Sequence, residues 1–344
     1  MHEFRVLTEA EVPWDRLDAF PDRTVFQTRP WLDFLRASQG VRPVVIEVSK
    51  AGRLQGYFTG AVFRKFGIPI FGSSFPGWTT GHMGFNLLNG AEISEIAPEL
   101  VSYVFNDLGC WHIEINDPKV KAEHFLKRFP SVASRDIAGW VGDLSGSEEA
   151  VLKRMDSDRR RCIRKAAQRG LIVEQCFDES FAEDYYPQMA DVFQRQGLVP
   201  TYSKDRLTLL IRNLIGSGNL LLVRVREPET GRCIGSGIFP AFNGTMYFWG
   251  GAAFRSSLSH HPNESMHWFA MKYWRERGVV RYDMMGGGDY KAKYGGRPSV
   301  TQWVRVSRFP WLMSLRDIAQ NSTRLLQRIK GQLIPQGSLQ GERP

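Results

Sequence analysis

Residues 282–296, which read YDMMGGGDYKAKYGG, hold the side chains best suited to chemistry. A predicted strand runs into three consecutive glycines, and glycine lets backbone pass close to a ligand, as expected at Gly287. Asp289, Tyr290 and Lys291 follow at once. A lysine on such a loop could hold a phosphate, or could stabilise the oxyanion formed during acyl transfer. The alternative is a glycine-rich turn whose charges are only solvated.

Other loop residues are candidate substrate contacts. Trp78 and His82 lie in a glycine-rich loop over residues 72–84, which would line an acceptor groove if the two halves of the chain pack together. His261 precedes a predicted helix and could act as an acid or a base. Tyr202 completes this group of substrate-binding candidates. For each of these residues, a structural or bystander role is the alternative.

A cationic helix is predicted over residues 148–169, between the two halves of the chain. Its Arg160 and Arg164 are expected to bind the diphosphate of a nucleotide- or lipid-linked acceptor, and a solvated helix face is the alternative. The net charge of +9 likewise favours an anionic partner, such as a phosphate, a tRNA or an anionic membrane surface.

Several classes of protein lose support. The four cysteines lie far apart without C-x-x-C spacing, which argues against a zinc site or redox motif, and no metal is expected. The chain lacks G-x-x-x-x-G-K-[ST], a strand-linked G-x-G-x-x-G, and G-x-S-x-G, so nucleotide hydrolysis, dinucleotide binding and a serine nucleophile are not indicated. The polar N-terminus and the absence of a long apolar run predict a cytoplasmic protein.

The 344 residues suggest two domains, and the order of predicted elements repeats. In each half, strands are followed by a loop, a helix, a glycine and a further strand. This order predicts a mixed α/β (α+β) fold with a first domain over residues 1–145 and a second over 146–334, followed by a disordered tail at 335–344. The repeated strands are expected at 43–48, 54–63, 66–71, 111–115, 219–226, 232–240, 246–249 and 279–284. The helices are expected at 92–108, 181–196, 204–214, 264–277 and 311–333.

Three segments, taken in order, resemble the FemAB-like and CelD-like transferases. Residues 25–35, VFQTRPWLDFL, are similar to an N-terminal F-Q-x-x-x-W element that includes Trp31. Residues 160–170, RRCIRKAAQRG, are similar to an R-x-x-I-R-K-A-x-x-x-G helix. Residues 290–295, YKAKYG, follow a helix, a glycine and a strand, as the terminal element does in that family.

The resemblance implies two tandem GNAT-like domains. It also implies an enzyme that moves an activated acyl or aminoacyl group onto an amine or sugar of a cell-envelope or polysaccharide precursor. By position, Lys291 would stabilise the tetrahedral intermediate, with Tyr290 beside it. No tightly bound cofactor is implied, and the donor would be aminoacyl-tRNA or acyl-CoA.

Two departures bear on the donor. The long helical hairpin of many tRNA-dependent members is missing or short, since no sustained charged heptads occur. In GNAT enzymes the sequence R-x-x-G-x-G binds the CoA pyrophosphate just before a helix. Here that sequence occurs at 232–237, inside a predicted strand. The loop at 253–264, which precedes a predicted helix, lacks it. The alternative to an enzyme is a non-catalytic tandem GNAT-like protein that touches nucleic acid or membrane through its basic face. The tail helix would rest on anionic lipid at the inner membrane face, or would pack against the second domain.

Overall fold

The computed structural model describes residues 1–75 and 77–318, and Ser322. It is a mixed α/β structure. Its strands are β1 (Glu3–Val6), β2 (Arg42–Lys50), β3 (Arg53–Lys65), β4 (Ile68–Gly72), β5 (Gly84–Leu87), β6 (His112–Asn116), β7 (Val132–Asp143), β8 (Ile172–Cys176), β9 (Leu220–Arg226), β10 (Cys233–Phe242), β11 (Thr245–Tyr247), β12 (Gly250–Ala253), β13 (Arg281–Asp283) and β14 (Gly296–Ser307). Its helices are α1 (Trp14–Asp18), α2 (Arg29–Gln39), α3 (Ile93–Asn106), α4 (Glu148–Arg154), α5 (Ser157–Gln168), α6 (Phe181–Arg195), α7 (Lys204–Leu214) and α8 (Pro262–Arg275).

The same parallel strand pair occurs once in each half. In the first half β4 runs parallel to β6, with Ile70 opposite His112, and α3 makes the crossover. In the second half β11 runs parallel to β13, with Thr245 opposite Arg281, and α8 makes the crossover. Parallel neighbours need such a crossover, which is usually a helix. The repeated order of helix, glycine and strand in the sequence therefore marks a repeated structural unit.

The two halves exchange their last strands. β7 follows the first half in sequence but pairs with β13 of the second half, with Tyr282 opposite Gly142. β14 follows the second half but pairs with β6 of the first, with Val304 opposite Ile115. β7 and β14 also pair with each other along their length. One hydrogen-bonded sheet therefore crosses both halves, in the order β1-β2-β3-β4-β6-β14-β7-β13-β11-β10-β9-β8. The domain boundary at residue 145 stays a prediction.

The cationic segment forms two helices, so the prediction of one helix over 148–169 was wrong. Met155 ends α4 in an extended conformation, with φ −75° and ψ 152°, and its side chain is buried. Asp156 then caps α5 by accepting from the Asp158 N–H, and its own N–H donates to the Lys293 carbonyl at 2.9 Å. The helix is interrupted here because the chain extends at Met155, which buries that side chain and brings Asp156 into contact with the turn at 289–294.

The three largest of four apolar clusters in the described residues position most of the elements. One packs α3 on β2, β3 and β6, and another packs α8 on β9 and β10. The third joins the halves, because it combines Trp31 and Phe34 of α2 with Leu207 and Leu210 of α7. Since α2 belongs to the first half and α7 to the second, burial of this shared cluster holds the halves together.

Only the start of the predicted tail helix lies in the described part. Residues 310–318 are helical, Leu312 is buried, and Arg316 Nε donates to the buried Glu114 carboxylate at 2.6 Å. This portion therefore packs on the sheet. The rest of the predicted helix to 333 and the predicted disordered tail lie outside the described residues, Ser322 apart. Within the described residues, no helix has the length and apolar character needed to cross a membrane.

Candidate active site

Lys291 lies in a turn of 3-10 helix, Asp289–Tyr294, directly after the three glycines. Its side chain is 7% exposed. Nζ donates to the carbonyls of Met285, at 2.6 Å, and Gly286, at 3.2 Å. Both of these residues have positive φ, and this left-handed turn presents two successive carbonyls to one ammonium.

The Lys291 ammonium is only partly compensated. Burial lowers its pKa to about 8, against the opposing effect of the Asp283 carboxylate. The rings of Phe248 and Tyr290 lie 5.9 and 5.8 Å from Nζ, so aromatic faces replace part of the water around the charge. Burial also raises the pKa of Asp283, whose carboxylate accepts from the Met285 N–H at 2.8 Å. The result is a lysine that is protonated at neutral pH but close to losing its charge.

The other candidates on this loop are exposed. Asp289, Gly287 and Lys293 all face solvent, and Tyr290 is 49% exposed. A Cβ added at Gly287 would meet nothing within 4 Å, so close approach of the protein's own backbone does not require a glycine there. Gly288 is the constrained position instead. Its φ is +120°, and an added Cβ would lie 2.9 Å from the Tyr290 ring.

Trp31 and Trp78 were expected to contact substrate, and the structure corrects this expectation. Trp31 has no exposed area and donates through Nε1 to the Thr80 hydroxyl at 3.1 Å, and Trp78 is 6% exposed. Both belong to the apolar cluster shared by the two halves. Because α7 packs directly on α2, these large rings are used for packing and are out of reach of a substrate in this structure.

The glycine-rich loop at 72–84 is fastened to the second half of the chain. Arg206 of α7 donates to the Gly77 carbonyl at 2.8 Å and also to the Trp78 carbonyl. Trp249 Nε1 donates to the Thr79 carbonyl at 2.6 Å. Burial lowers the pKa of the Arg206 guanidinium to about 10. The first-half loop therefore meets the second half at α7 and at the segment between β11 and β12.

Tyr202 lies at this junction. Its hydroxyl is 3.0 Å from that of Tyr185, and its ring lies 5.2 Å from the ring of Trp249. Burial raises the pKa of both tyrosines, so both phenols stay protonated. Tyr202 and Met285 pack against the same shared cluster as Trp31 and Trp78. The structure thus brings the candidates Tyr202, Trp31 and Trp78 together beside Met285, whose carbonyl accepts a hydrogen bond from Lys291.

His82 lies apart from this group. It is half-buried beside Lys119 and Arg281, and burial together with these two cations lowers its pKa to about 4. Arg281 begins β13, at the opposite end of that strand from Asp283. His82 is therefore neutral at physiological pH. Its role in substrate binding stays a prediction.

The next candidates lie on α5 and before α8, and α5 begins against the turn that carries Lys291, because the Asp156 N–H donates to the Lys293 carbonyl. Arg160 is partly exposed and donates to the Lys153 carbonyl at 3.2 Å, and Arg164 is exposed. His261 stands at the N-cap of α8 with φ 62°. Sequence spacing gave no hint that donor atoms of Cys162, His261 and Glu264 lie within 4.8 Å of one another.

That cluster is poorly suited to a divalent cation. The Glu264 carboxylate already pairs with Arg159. Burial lowers the pKa of His261, and the charges of Arg169, Lys165 and Arg159 lower it further, against the opposing effect of Glu264. A metal ion here would therefore meet strong positive charge and would have to displace an existing ion pair.

A cluster of buried aromatic side chains lies behind Lys291 and was not predicted from the sequence. The Tyr282 hydroxyl lies 2.7 Å from His267 Nδ1, and the rings of His267 and Tyr294 stack at 4.4 Å. Burial, with the charges of Lys291 and Arg159, lowers the pKa of His267 to about 3. His267 lies on the buried face of α8, where periodicity suggests only packing. It acts as a neutral support for the turn that carries Lys291.

Residues 153–294 match the family described as acetyltransferase (GNAT) domain. The chain therefore contains a GNAT-type domain. The matched segment includes α5, α8 and the loop with Lys291. It confirms the predicted class of enzyme, a transferase of the GNAT superfamily.

Solved structures confirm the fold over nearly the whole chain. FemX superposes with a TM-score of 0.71 at 14% identity, covering 90% of this chain and 99% of FemX. A conserved protein of unknown function from Bacteroides thetaiotaomicron gives 0.56 at 9% identity, with 89% and 100% covered. A tandem GNAT protein from the clavulanic acid biosynthesis pathway gives 0.52 at 13% identity, with 90% and 99% covered. At these identities the likeness establishes the tandem GNAT fold, and with it the structural side of the FemAB-like resemblance. No curated protein sequence matches the chain.

Proposed function

We propose that this protein moves an activated acyl or aminoacyl group onto an amine or sugar of a cell-envelope or polysaccharide precursor. The observation that carries the proposal is the buried, partly compensated ammonium of Lys291 beside the junction of the two halves. The likeness of the fold to FemX supports the aminoacyl branch, and the match to the GNAT domain family supports the acyl branch.

The acceptor amine or hydroxyl would attack the donor carbonyl directly. The carbonyl electron pair moves onto oxygen and the new bond to the acceptor forms. The tetrahedral intermediate then collapses and its bond to the leaving group breaks, which expels the ribose oxygen of tRNA as an alkoxide or the sulfur of CoA as a thiolate. The leaving group takes up the proton released by the acceptor. Within the described residues, Lys291 Nζ makes two hydrogen bonds, which leaves one N–H for the oxyanion. Such a donor stabilises the transition state more than the ground-state carbonyl.

The donor is the open part of the proposal. Helix N-termini bind phosphate well, and that of α8 would be the expected place for CoA pyrophosphate. Here Glu264 occupies the first turn of α8 and pairs with Arg159, while the G-x-G spelling near Gly235 lies inside β10. These contacts weigh against CoA at that position, and the lack of sustained charged heptads weighs against tRNA. Both donors therefore belong in the test.

We further propose that Arg160 and Arg164 on α5 bind the phosphates of the acceptor. Both side chains reach solvent, and α5 carries further cations. Replacing both with Ala should weaken acceptor binding and flatten its dependence on salt concentration, since phosphate contacts are screened by ions. Unchanged affinity and salt dependence would mean that this face of the helix is only solvated.

The first experiment is a screen for binding and turnover. Acyl-CoAs, aminoacyl-tRNAs and UDP-linked muropeptides are tested for a rise in the melting temperature, because a ligand that binds only the folded state stabilises it. Donor and acceptor pairs that bind are then assayed for transfer. Binding without turnover in any pair would favour the non-catalytic alternative. The ammonium of Lys291 would then only brace its own loop.

A further inference from the structure

One end of the sheet collects loops from most of the first half. β2 begins there at Arg42 and β7 begins there at Val132, and the turn between β3 and β4 lies there. His112, the first residue of β6, pairs with Ile70 of β4 on one side and with Ser307, the last residue of β14, on the other. Six neighbouring strand ends at the usual spacing span about 24 Å. We call the loops at this end the sheet-end surface.

Large apolar side chains stand out of the sheet-end surface. Phe66, at the tip of the β3–β4 turn, is 88% exposed, and Leu126 is 64% exposed. Trp311 is 52% exposed and Trp111 37% exposed, and both lie against the ring of Phe309, at 6.2 and 5.5 Å. Exposed apolar groups at loop tips, rather than in a groove, suit insertion into a soft apolar medium.

The same loops carry a strong positive charge. Asp107 is the one acidic residue in the loops at 40–42, 65–68, 107–111, 125–131 and 308–311. The described ion pairs include none of the exposed cations that surround the apolar tips, so their charge is uncompensated within the described chain. These cations are Arg42, Arg64, Lys65, Lys127, Arg128 and Arg308.

We propose that the sheet-end surface docks on an anionic phospholipid bilayer. Tryptophan and phenylalanine enter the boundary between head groups and acyl chains, while lysine and arginine stay at the level of the anionic head groups. A single-stranded nucleic acid would also suit the charge, but it favours aromatic faces along a groove, and Phe66 and Leu126 project from separate loops.

Docking at this end leaves the candidate active site away from the bilayer. The loop at 72–84, which meets Trp249 and Arg206, follows the other end of β4, beyond Gly72. The separation makes membrane binding independent of the chemistry at Lys291. A lipid-bound enzyme of this orientation could take a donor from solution.

Vesicle co-sedimentation of the full chain tests the docking surface. The chain should bind vesicles of phosphatidylglycerol and phosphatidylcholine at low salt, and should bind pure phosphatidylcholine much more weakly. The triple variant Lys65→Gln, Lys127→Gln and Arg128→Gln should lose on the order of 100-fold in partition coefficient, since each cation near an anionic surface contributes about fivefold.

A matched triple variant controls for net charge. Lys50→Gln, Arg53→Gln and Lys121→Gln removes three exposed cations from the opposite end of the sheet, of which Lys50 pairs with Glu95, and should keep binding within about twofold. Phe66→Asn, which tolerates the left-handed backbone at this position, should weaken binding without changing its salt dependence. Unchanged melting temperatures establish that each variant is folded.

Three results would overturn the proposal. The first is no vesicle binding by the unaltered chain, or equal binding to neutral and anionic vesicles. The second is an equal loss in the two triple variants. The third is a loss of single-stranded RNA binding in the Lys65 triple variant with vesicle binding intact. Turnover of a water-soluble acceptor should be unchanged in the Lys65 triple variant, so failure of docking and failure of the proposed catalysis can be told apart.

Discussion

Glu114 in the first half and Lys291 in the second are both buried charged groups beside a parallel strand pair, but their surroundings differ. In the first half, the fully buried Glu114 on β6 accepts from Trp303 Nε1 at 2.9 Å and from Arg316 Nε at 2.6 Å, and His112 lies 3.3 Å away. Burial alone would raise its pKa, but the contacts with His112 and Arg316 hold the pKa below its usual value. Charge and hydrogen-bonding capacity are both satisfied, as expected of a structural group.

In the second half, the Lys291 ammonium contacts carbonyl dipoles and aromatic rings, and among the described residues the Asp283 charge acts on it without a hydrogen bond. Its pKa moves toward neutrality, away from its usual range. The difference teaches that burial alone does not mark a site. A buried charge whose partners are incomplete is the better candidate for chemistry, because a substrate can supply what the protein withholds.

Loss of the Lys291 ammonium should have the largest effect on activity. Lys291→Met keeps the length of the side chain but removes the charge. It should lower kcat by about 10²–10³, or roughly 3–4 kcal/mol, because one oxyanion donor is lost. Lys291→Arg should rescue poorly, since a planar fork does not mimic a compact ammonium. Steady-state kinetics with an identified donor and acceptor measure both.

Lys293→Ala is the matched control, since Lys293 is exposed two residues along the same turn, and it should change kcat by about twofold at most. If KM for the donor rises in Lys291→Met while kcat holds, Lys291 binds donor phosphate instead of the oxyanion. Full activity in Lys291→Met would remove it from the mechanism.

Glu114 should show the opposite pattern. Glu114→Gln removes the charge opposite Arg316 and leaves that partly buried guanidinium without its carboxylate. The free energy of unfolding should fall by about 2–3 kcal/mol, with kcat unchanged. Denaturant titration measures the loss, and Glu123→Gln, at an exposed position, should stay within about 0.5 kcal/mol of the unaltered chain. A large loss of kcat in a stable Glu114→Gln protein would mean that Glu114, like Lys291, serves catalysis.

The pH dependence of turnover should sharpen the comparison at Lys291. Its pKa of about 8 means that the ammonium is present below pH 8 and is lost as pH rises through that value. If the charge stabilises the oxyanion, kcat should fall above pH 8, by about tenfold per pH unit well beyond the pKa. A rise of kcat through pH 8 would instead make the neutral amine a general base that takes the acceptor's proton. Lys291→Met should lack either transition.

The sequence made some parts of the fold predictable. Helices α3, α6, α7 and α8 carry apolar residues at helical spacing, and the strand and helix order repeats between the halves. These features are local, because periodicity records which face of an element is buried. The order of elements predicted a mixed α/β fold, and the resemblance at 25–35, 160–170 and 290–295 implied that the fold is GNAT-like. Short elements such as β5 and β12 were missed, because so few residues show no periodicity. The long strands β7 and β14 were not predicted either.

The candidate site was only partly predictable. The glycine-rich run marked Lys291 as a candidate. Trp31 and Trp78 were assigned to substrate because aromatic residues serve grooves and cores alike, and only the packing of α2 against α7 placed them in the core. The convergence of Cys162, His261 and Glu264 was likewise invisible, since α5 and α8 are distant in sequence.

By itself the sequence determined several of the helices and strands, the repetition of their order, and which loop carries a lysine after three glycines. Only the tertiary structure decided that β7 and β14 exchange between the halves, since the pairing partner of a strand is set by contacts remote in the chain. The tertiary structure also decided the state of Lys291. The pKa of a side chain depends on the water removed around it and on the charges brought near, and both are supplied by residues that folding alone assembles.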